Sequence, residues 1–495
     1  MFVVPLIAAF VHPDLAWTFK LLVMGVIAVS AASPMAGLLV LVLLLPFSTP
    51  AVALFDHVVA SSEITDALLL AFVSGASLRV VRSPDGRPDR LSAPAIVLMA
   101  AVVASTIAEL HALQAITPRR PLAGEIWRHL TTSYWTAPRT FAVVHDAVRW
   151  IAWIAAAVYA ERAIRAAPAR HDMACRLWIV AGTIGAMFSV VFLLEIAVHD
   201  TPATAWQVLQ QARLSVLQPD LNAAGSYFAL FLVPAVIVGL RGRAWWMLVG
   251  AAPVLMIPFG MARSRAAMAA VVLVLCVAGC ARAMRRPAGN ASSDVVRVNT
   301  RAMAGAVAIA AIAAAVMFAA TRQSHLEPRT AVQFRLEMMQ IGLSAAQRNP
   351  LFGVGLGDYI RSTRRFITPE TPITLGSYPG GENAHNNLLQ IVVELGIPAG
   401  LVFLWLVIPT ATMGFGAGPA GPSPALQGLS LGVAAFLVSA VFGHPLLVPQ
   451  VGVAFFLALG VAAGLAPAPG GMPLRATIAR AGVVVYAALL VLRLA

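Results

Sequence analysis

One histidine in this chain has neighbours that suit it to proton transfer. His385 lies in ENAHNNLLQIVVELGIPAG (382–400), directly before Asn386 and Asn387, and a carboxylate, Glu394, follows nine residues later. Imidazole, with an ordinary pKa of ~6.5, takes up a proton near neutrality. Arginines supply a second kind of chemistry: Arg263 and Arg265 in MARSRAAMAA, Arg213 ahead of QPDLNAAG, and Arg335 in AVQFRLEMMQ. A planar guanidinium clamps two phosphate oxygens at once. Plainer roles exist for each. His385 or Asn386 can cap the short helix that follows. Glu394 either orients a catalytic group or faces water, and an arginine near a bilayer can snorkel to the headgroups.

Almost everything around these residues is apolar. Of 495 residues 60% are hydrophobic and 11% charged, whereas soluble domains run nearer ~25% charged. Many runs approach the ~20 residues that cross a bilayer core, and the period-2 alternation of a membrane barrel is absent. The fold expected is therefore an all-α, polytopic transmembrane bundle. Its spans are read at 15–31, 34–48, 62–79, 91–113, 141–161, 176–198, 222–240, 244–262, 265–281, 302–320, 398–413, 426–444, 450–466 and 477–494. Pro13, Lys20 and Pro34 interrupt the first 48 residues, so the total is 12 to 14. MFVVPLIAAF has no basic n-region and is not read as a cleaved signal. Cys175, Cys276 and Cys280 lack metal-ligand spacing and read as small buried hydrophobes.

A formal net charge of +13 would suit nucleic acid if it were spread along one soluble face. Instead the arginines recur on every second connection: Arg79 to Arg90, Arg162 to Arg176, Arg241 and Arg243, Arg282 to Arg301, then Arg475 and Arg480. That is the positive-inside pattern, so the charge marks a cytoplasmic side and implies no nucleic-acid partner. Arg213, Arg263 and Arg265 fall on the opposite side, where a lipid-linked diphosphate would hold its anions. Arg149, in the middle of a span, is the other exception.

Three segments follow: transmembrane helices over 1–320, a structured outer loop over 321–397, and C-terminal transmembrane helices over 398–495, all in one integrated domain. In the loop, Val332, Leu336, Met339 and Leu343 form a helical stripe suited to other helices or to the lipid surface. Asn349-Pro350 ends it. Gly353, Gly355 and Gly357 in LFGVGLGDY have neither a preceding strand nor a following Lys-Ser/Thr, so a tight surface turn is expected rather than a phosphate cradle. A short helix is expected over 384–394. His199, His325 and His444, which lack matching neighbours, are read as structural.

At three of these stretches the chain resembles the O-antigen ligase and polymerase family of bacterial membrane glycosyltransferases. They are SRAAMAAVVLVL at 264–275, FRLEMMQIGLSAAQRNPLFGVGLGDY at 334–359 and HNNLLQIVVELGIPAGLVFLWLV at 385–407. With Arg213 and Asn222 the likeness covers roughly 200–445; many relatives carry a Pro-Asn pair where this chain reads QPDLNAAG. The resemblance implies a GT-C-like fold in the bacterial inner membrane and an active site on the periplasmic face. A glycan would pass from undecaprenyl diphosphate to an acceptor hydroxyl on lipid A-core, another glycan or a protein. His385 would be the base, with Arg265, Arg213, Arg335, Arg263, Asn386 and Glu394 binding substrate. No cofactor is implied, and no paired carboxylates in the outer segments suggest a metal. The same family includes polysaccharide polymerases and protein O-glycosyltransferases. Outside it, a lipid-oligosaccharide flippase would carry charges deep in several spans, and a non-enzymatic envelope scaffold would have no need of His385.

Overall fold

Inside a bilayer a backbone can satisfy its N–H and C=O groups only internally, so apolar stretches of this kind become helices. The computed structural model describes residues 3–55, 59–79, 89–116, 121–137, 141–199, 220–242, 244–283, 328–367, 382–416, 421–467 and 473–494, and no strand occurs among them. In chain order the helices are α1 (Val3–Val11), α2 (Trp17–Ala32), α3 (Pro34–Leu44), α4 (Ser61–Leu78), α5 (Ser92–Ile116) and α6 (Leu122–Arg128). Next come α7 (Ala142–Arg165), α8 (His171–His199), α9 (Leu221–Arg241), α10 (Ala252–Met261), α11 (Arg265–Ala283) and α12 (Pro328–Arg348). The last six are α13 (Tyr359–Ser362), α14 (Asn387–Leu395), α15 (Ile397–Thr412), α16 (Pro424–Ala440), α17 (Pro449–Leu465) and α18 (Pro473–Leu494).

The protein is thus an all-α polytopic membrane protein. Every expected span is helical except 302–320, which lies outside the described residues, as do Arg213 and His325. Six helices among the described residues are long and apolar enough to cross a membrane: those at 92–115, 142–165, 168–191, 221–241, 265–282 and 397–415. Shorter apolar helices occupy 17–32, 34–47, 247–261, 424–440 and 449–465. At ~1.5 Å per residue a 16-residue helix reaches about 24 Å, less than the ~30 Å hydrocarbon core. The count of 12 to 14 therefore includes helices that do not cross on length alone.

The chain divides into two compact units. The first comprises 1–168, 328–407 and 467–495. Within it, the carboxylate of Glu161 near the end of α7 accepts hydrogen bonds from the backbone N–H groups of Arg90 (2.6 Å) and Leu91 (2.9 Å), at the start of α5. Those are orphan donors of a helix N-terminus. Arg165 pairs with Glu161 at 2.6 Å and Arg162 with Asp89 at 2.5 Å, so the basic ends of α5 and α7 are tied together. The loop helices carry a small core of their own, in which Met338, Ile341 and Ala345 of α12 meet Tyr359 and Val393. The Tyr359 hydroxyl donates to the Met338 carbonyl at 3.0 Å. Of the expected stripe on α12, Leu336 and Leu343 face away from this core, both 54% exposed. Packing uses the face one step round the helix.

The second unit comprises 169–327 and 408–466. Pro234 sits inside α9 and cannot donate to the Leu230 carbonyl. The indole N–H of Trp178 takes that acceptor at 3.0 Å. Gly428 of α16 lets the helices close over the proline, since a Cβ there would lie 2.9 Å from the Pro234 Cα. Asp220 caps α9 by accepting from the Ala223 N–H at 2.7 Å. The expected span 244–262 is a π-turn (Met247–Ala251) running into α10, where Pro253 denies the preceding turn its ordinary donor.

Candidate active site

The start of α14 answers the question of what His385 does locally. Asn386 is the N-cap: its side-chain oxygen accepts from the Leu389 N–H at 3.0 Å. The cap is therefore not the imidazole one residue earlier. His385 is held at φ +49°, and among the described residues only it and Arg263 (φ +47°) are non-glycines with positive φ. That conformation is uncommon for any non-glycine residue, although Asn, Asp and His adopt it more often than the rest, and surrounding structure must support it. Here the cap fixes the chain on one side and fully buried Ala384 on the other. The half-buried ring meets the edge of Phe334 on α12, with centroids 5.6 Å apart.

Glu394 is not on a solvated face; it is 5% exposed. Its carboxylate accepts from the Gly357 N–H at 3.1 Å and from the Gln390 amide at 2.9 Å. Its backbone carbonyl accepts from the Gly355 N–H and from the Ser105 hydroxyl, each at 3.2 Å. Burial pushes the carboxyl up to about 7, against the pull of the Gln390 and Gly357 hydrogen bonds, and the nearby Asp146 charge adds to the rise. Nine residues of helical rise are roughly 13 Å, so Glu394 and His385 work at opposite ends of α14. Glu394 orients the glycine turn.

The turn itself corrects the expectation of a surface feature, because Phe352, Gly353, Gly355 and Leu356 are buried. Ser105 of α5 holds it by donating to the Phe352 carbonyl at 3.1 Å, and the Val354 N–H donates to the Val393 carbonyl at 2.8 Å. Gly353 has φ +70°, and a Cβ there would overlap the backbone of Val393 and Glu394. Gly355 has φ +119°, and its Cβ would lie 2.5 Å from the Glu109 carboxylate. Gly353→Ala is therefore expected to cost roughly 1–2 kcal/mol in backbone strain alone, and more because backbone atoms cannot swing aside. Limited proteolysis should then cleave the loop faster than in the parent; an unchanged rate would refute the tight docking.

Of a buried charge network in the first unit, only Arg149 stands out above as an exception to the charge pattern. That guanidinium donates to Asp66 of α4 at 2.8 and 2.9 Å and to Asp146 at 3.0 Å. His145 contacts Asp66 at 3.3 Å, and Tyr134 stacks on His145 with centroids 4.4 Å apart. A Cβ on Gly357 would sit 2.5 Å from the Asp146 carboxylate, so the network reaches the same turn. It lies toward the helix ends opposite Arg79, Arg90 and Arg165. Charged residues at 66, 109, 146 and 149 inside otherwise apolar helices were the available signal.

Of the other expected residues, Arg335 is half-buried on α12, next to Phe334. Arg263 and Arg265 belong to the second unit, at the corner between α10 and α11. Ser264 between them is buried, 1% exposed. Ser264 packs so closely on α9 that a Cβ at Gly225 would lie 2.6 Å from the Ser264 Cβ. Asn222 lies one turn earlier on α9. His444 faces Asp220, the cap of α9, at 3.7 Å. Among the described residues no group of three or more His, Cys, Asp or Glu side chains could hold a metal ion.

Residues 251–404 match the family model described as O-antigen ligase. The match takes in the Arg263–Arg265 corner, the loop helices, the glycine turn and His385, a narrower range than the motifs suggested. No curated protein and no solved structure gives a significant match. The matched segment, together with the multi-pass helical architecture, makes this chain similar over residues 251–404 to the O-antigen ligase family.

Proposed function

We infer that this protein transfers a glycan from undecaprenyl diphosphate to an acceptor hydroxyl at the periplasmic face of the inner membrane. The supporting observation is His385, held in a rare conformation with its capping role taken over by Asn386. The imidazole accepts the acceptor's O–H proton as that oxygen bonds to the anomeric carbon. The bond from this carbon to the diphosphate breaks, and undecaprenyl diphosphate leaves with the electron pair. Arg265, Arg263, Arg213 and Arg335 are assigned to the diphosphate, where each well-placed donor to the developing charge is worth ~3 kcal/mol. The periplasmic side follows from the positive-inside distribution. The acceptor class, whether lipid A-core, glycan or protein, is decided by mass spectrometry of glycan attachment in a deletion strain.

Arg265→Lys keeps the charge but loses the planar fork. It is expected to lower turnover, and Arg265→Ala to lower it by about a hundredfold, the effect of losing one such donor. Unchanged donor-lipid binding and turnover in the alanine variant would leave Arg265 as a membrane anchor. Because guanidinium groups do the work of a divalent ion on the diphosphate, purified protein is expected to keep its rate in excess EDTA. Loss that Mg²⁺ or Mn²⁺ restores would overturn this.

A further inference from the structure

The first unit contains a cavity of about 230 Å³ that the proposed reaction does not use. One face of α5 forms its floor, with Ser105, Ala108, Glu109 and Ala112 at helical spacing, and the turn from Phe352 to Gly355 forms a wall. Arg361, Arg365 and Arg493 close it. Arg361 is paired with Asp358 at 3.0 Å, whereas Arg365 and Arg493 have no ion pair among the described residues. Arg493 reaches the cavity from the end of α18, the end opposite Arg475 and Arg480, and its guanidinium sits 5.3 Å from the centre of the Phe352 ring. On the carboxylate side, Glu109 Oε2 is buried with no hydrogen-bond partner among the described residues. A buried acceptor of that kind calls for a donor.

We propose that this cavity binds one anionic sugar residue of the glycan substrate, with Arg365 and Arg493 on its acidic group and Glu109 accepting from its hydroxyls. Each part of the wall has a counterpart in such a ligand. Guanidinium groups bind a carboxylate or phosphate in forked geometry. The lone carboxylate oxygen takes a ring hydroxyl, which a simple anion does not offer. The Phe352 ring and the alanines of α5 supply an apolar face for the C–H side of a pyranose. The volume is below the ~300–1,000 Å³ of sites for drug-sized ligands, so it suits one ring and not a chain. The cavity adjoins the C-terminal end of α14, roughly 13 Å along the helix from His385. A bound sugar there would be a neighbour of the reacting unit and not the unit itself. This rests on the glycan-transfer reading above.

The test is ligand-observed saturation-transfer NMR on the full chain in detergent, which needs no turnover. Glucuronate and glucose 6-phosphate are the anionic probes, and glucose is the neutral control. At least one anionic sugar is expected to bind tenfold or more tightly than glucose. The double variant R365Q/R493Q should lose that preference, and His385→Ala should retain it. If neither anionic sugar is preferred, or the double variant keeps the preference, the proposal falls. Competition separates the sources of the anion: displacement of the sugar by equimolar inorganic phosphate would make this a plain anion site. Displacement by dioctanoyl phosphatidylglycerol would make it a lipid headgroup site, and either result overturns the sugar assignment. Failure here leaves the transfer assay of His385 variants untouched, so the two ideas can fail separately.

Discussion

His385→Ala is expected to lower glycan transfer by about 10²- to 10⁴-fold, the contribution of a positioned general base, while membrane insertion and the loop fold persist. The structural reason for expecting an intact fold is that the helix cap belongs to Asn386, not to His385. Alanine does tolerate φ +49° poorly, so a second variant is needed to separate backbone from proton chemistry. His385→Asn serves, because asparagine adopts the left-handed region readily but cannot take up a proton. Both variants should be inactive, and the asparagine variant should match the parent in melting temperature. Transfer by His385→Asn at even a tenth of the parental rate would exclude a required proton acceptor at this position.

Arg149→Ala is expected to produce the largest loss of stability. It strips Asp66, only 3% exposed at its side chain, of the guanidinium that donates twice to its Oδ2 and leaves a buried carboxylate with only His145 beside it among the described residues. Breaking a buried pair from one side typically costs about 3–5 kcal/mol. Removing both charges should cost less, since the desolvation penalty leaves with them. D66N/R149M should therefore melt above Arg149→Ala in detergent. Equal melting temperatures for parent and Arg149→Ala would show that the network carries no net stabilisation. The effect should also reach the loop, because Asp146, the second partner of Arg149, lies against Gly357 of the glycine turn.

The class of the protein and the positions of its helices follow from the chain's own pattern, and the same pattern supports the proposed side of the His385 loop. Apolar runs near bilayer length and arginines on alternate connections are local signals, each read within about twenty residues. The His-Asn segment and its helix are legible for the same reason, since Asn386 caps a helix that begins one residue later. Tertiary structure alone decided how the loop is held. Glu394 could face water or orient a group; only the fold brings Gly357 to its carboxylate and Ser105 to its carbonyl, across separations of 37 and 289 residues. The glycines of the turn read as a surface feature because their reason for being glycine, contact with Glu109, Asp146 and the backbone of α14, comes from helices far away in sequence. Arg149 likewise stood as an isolated oddity until Asp66, 83 residues earlier, supplied its partner. Short-range periodicity records what each segment buries. It does not record which distant segment it is buried against, and that pairing is what builds the buried charge network and the arginine-lined cavity.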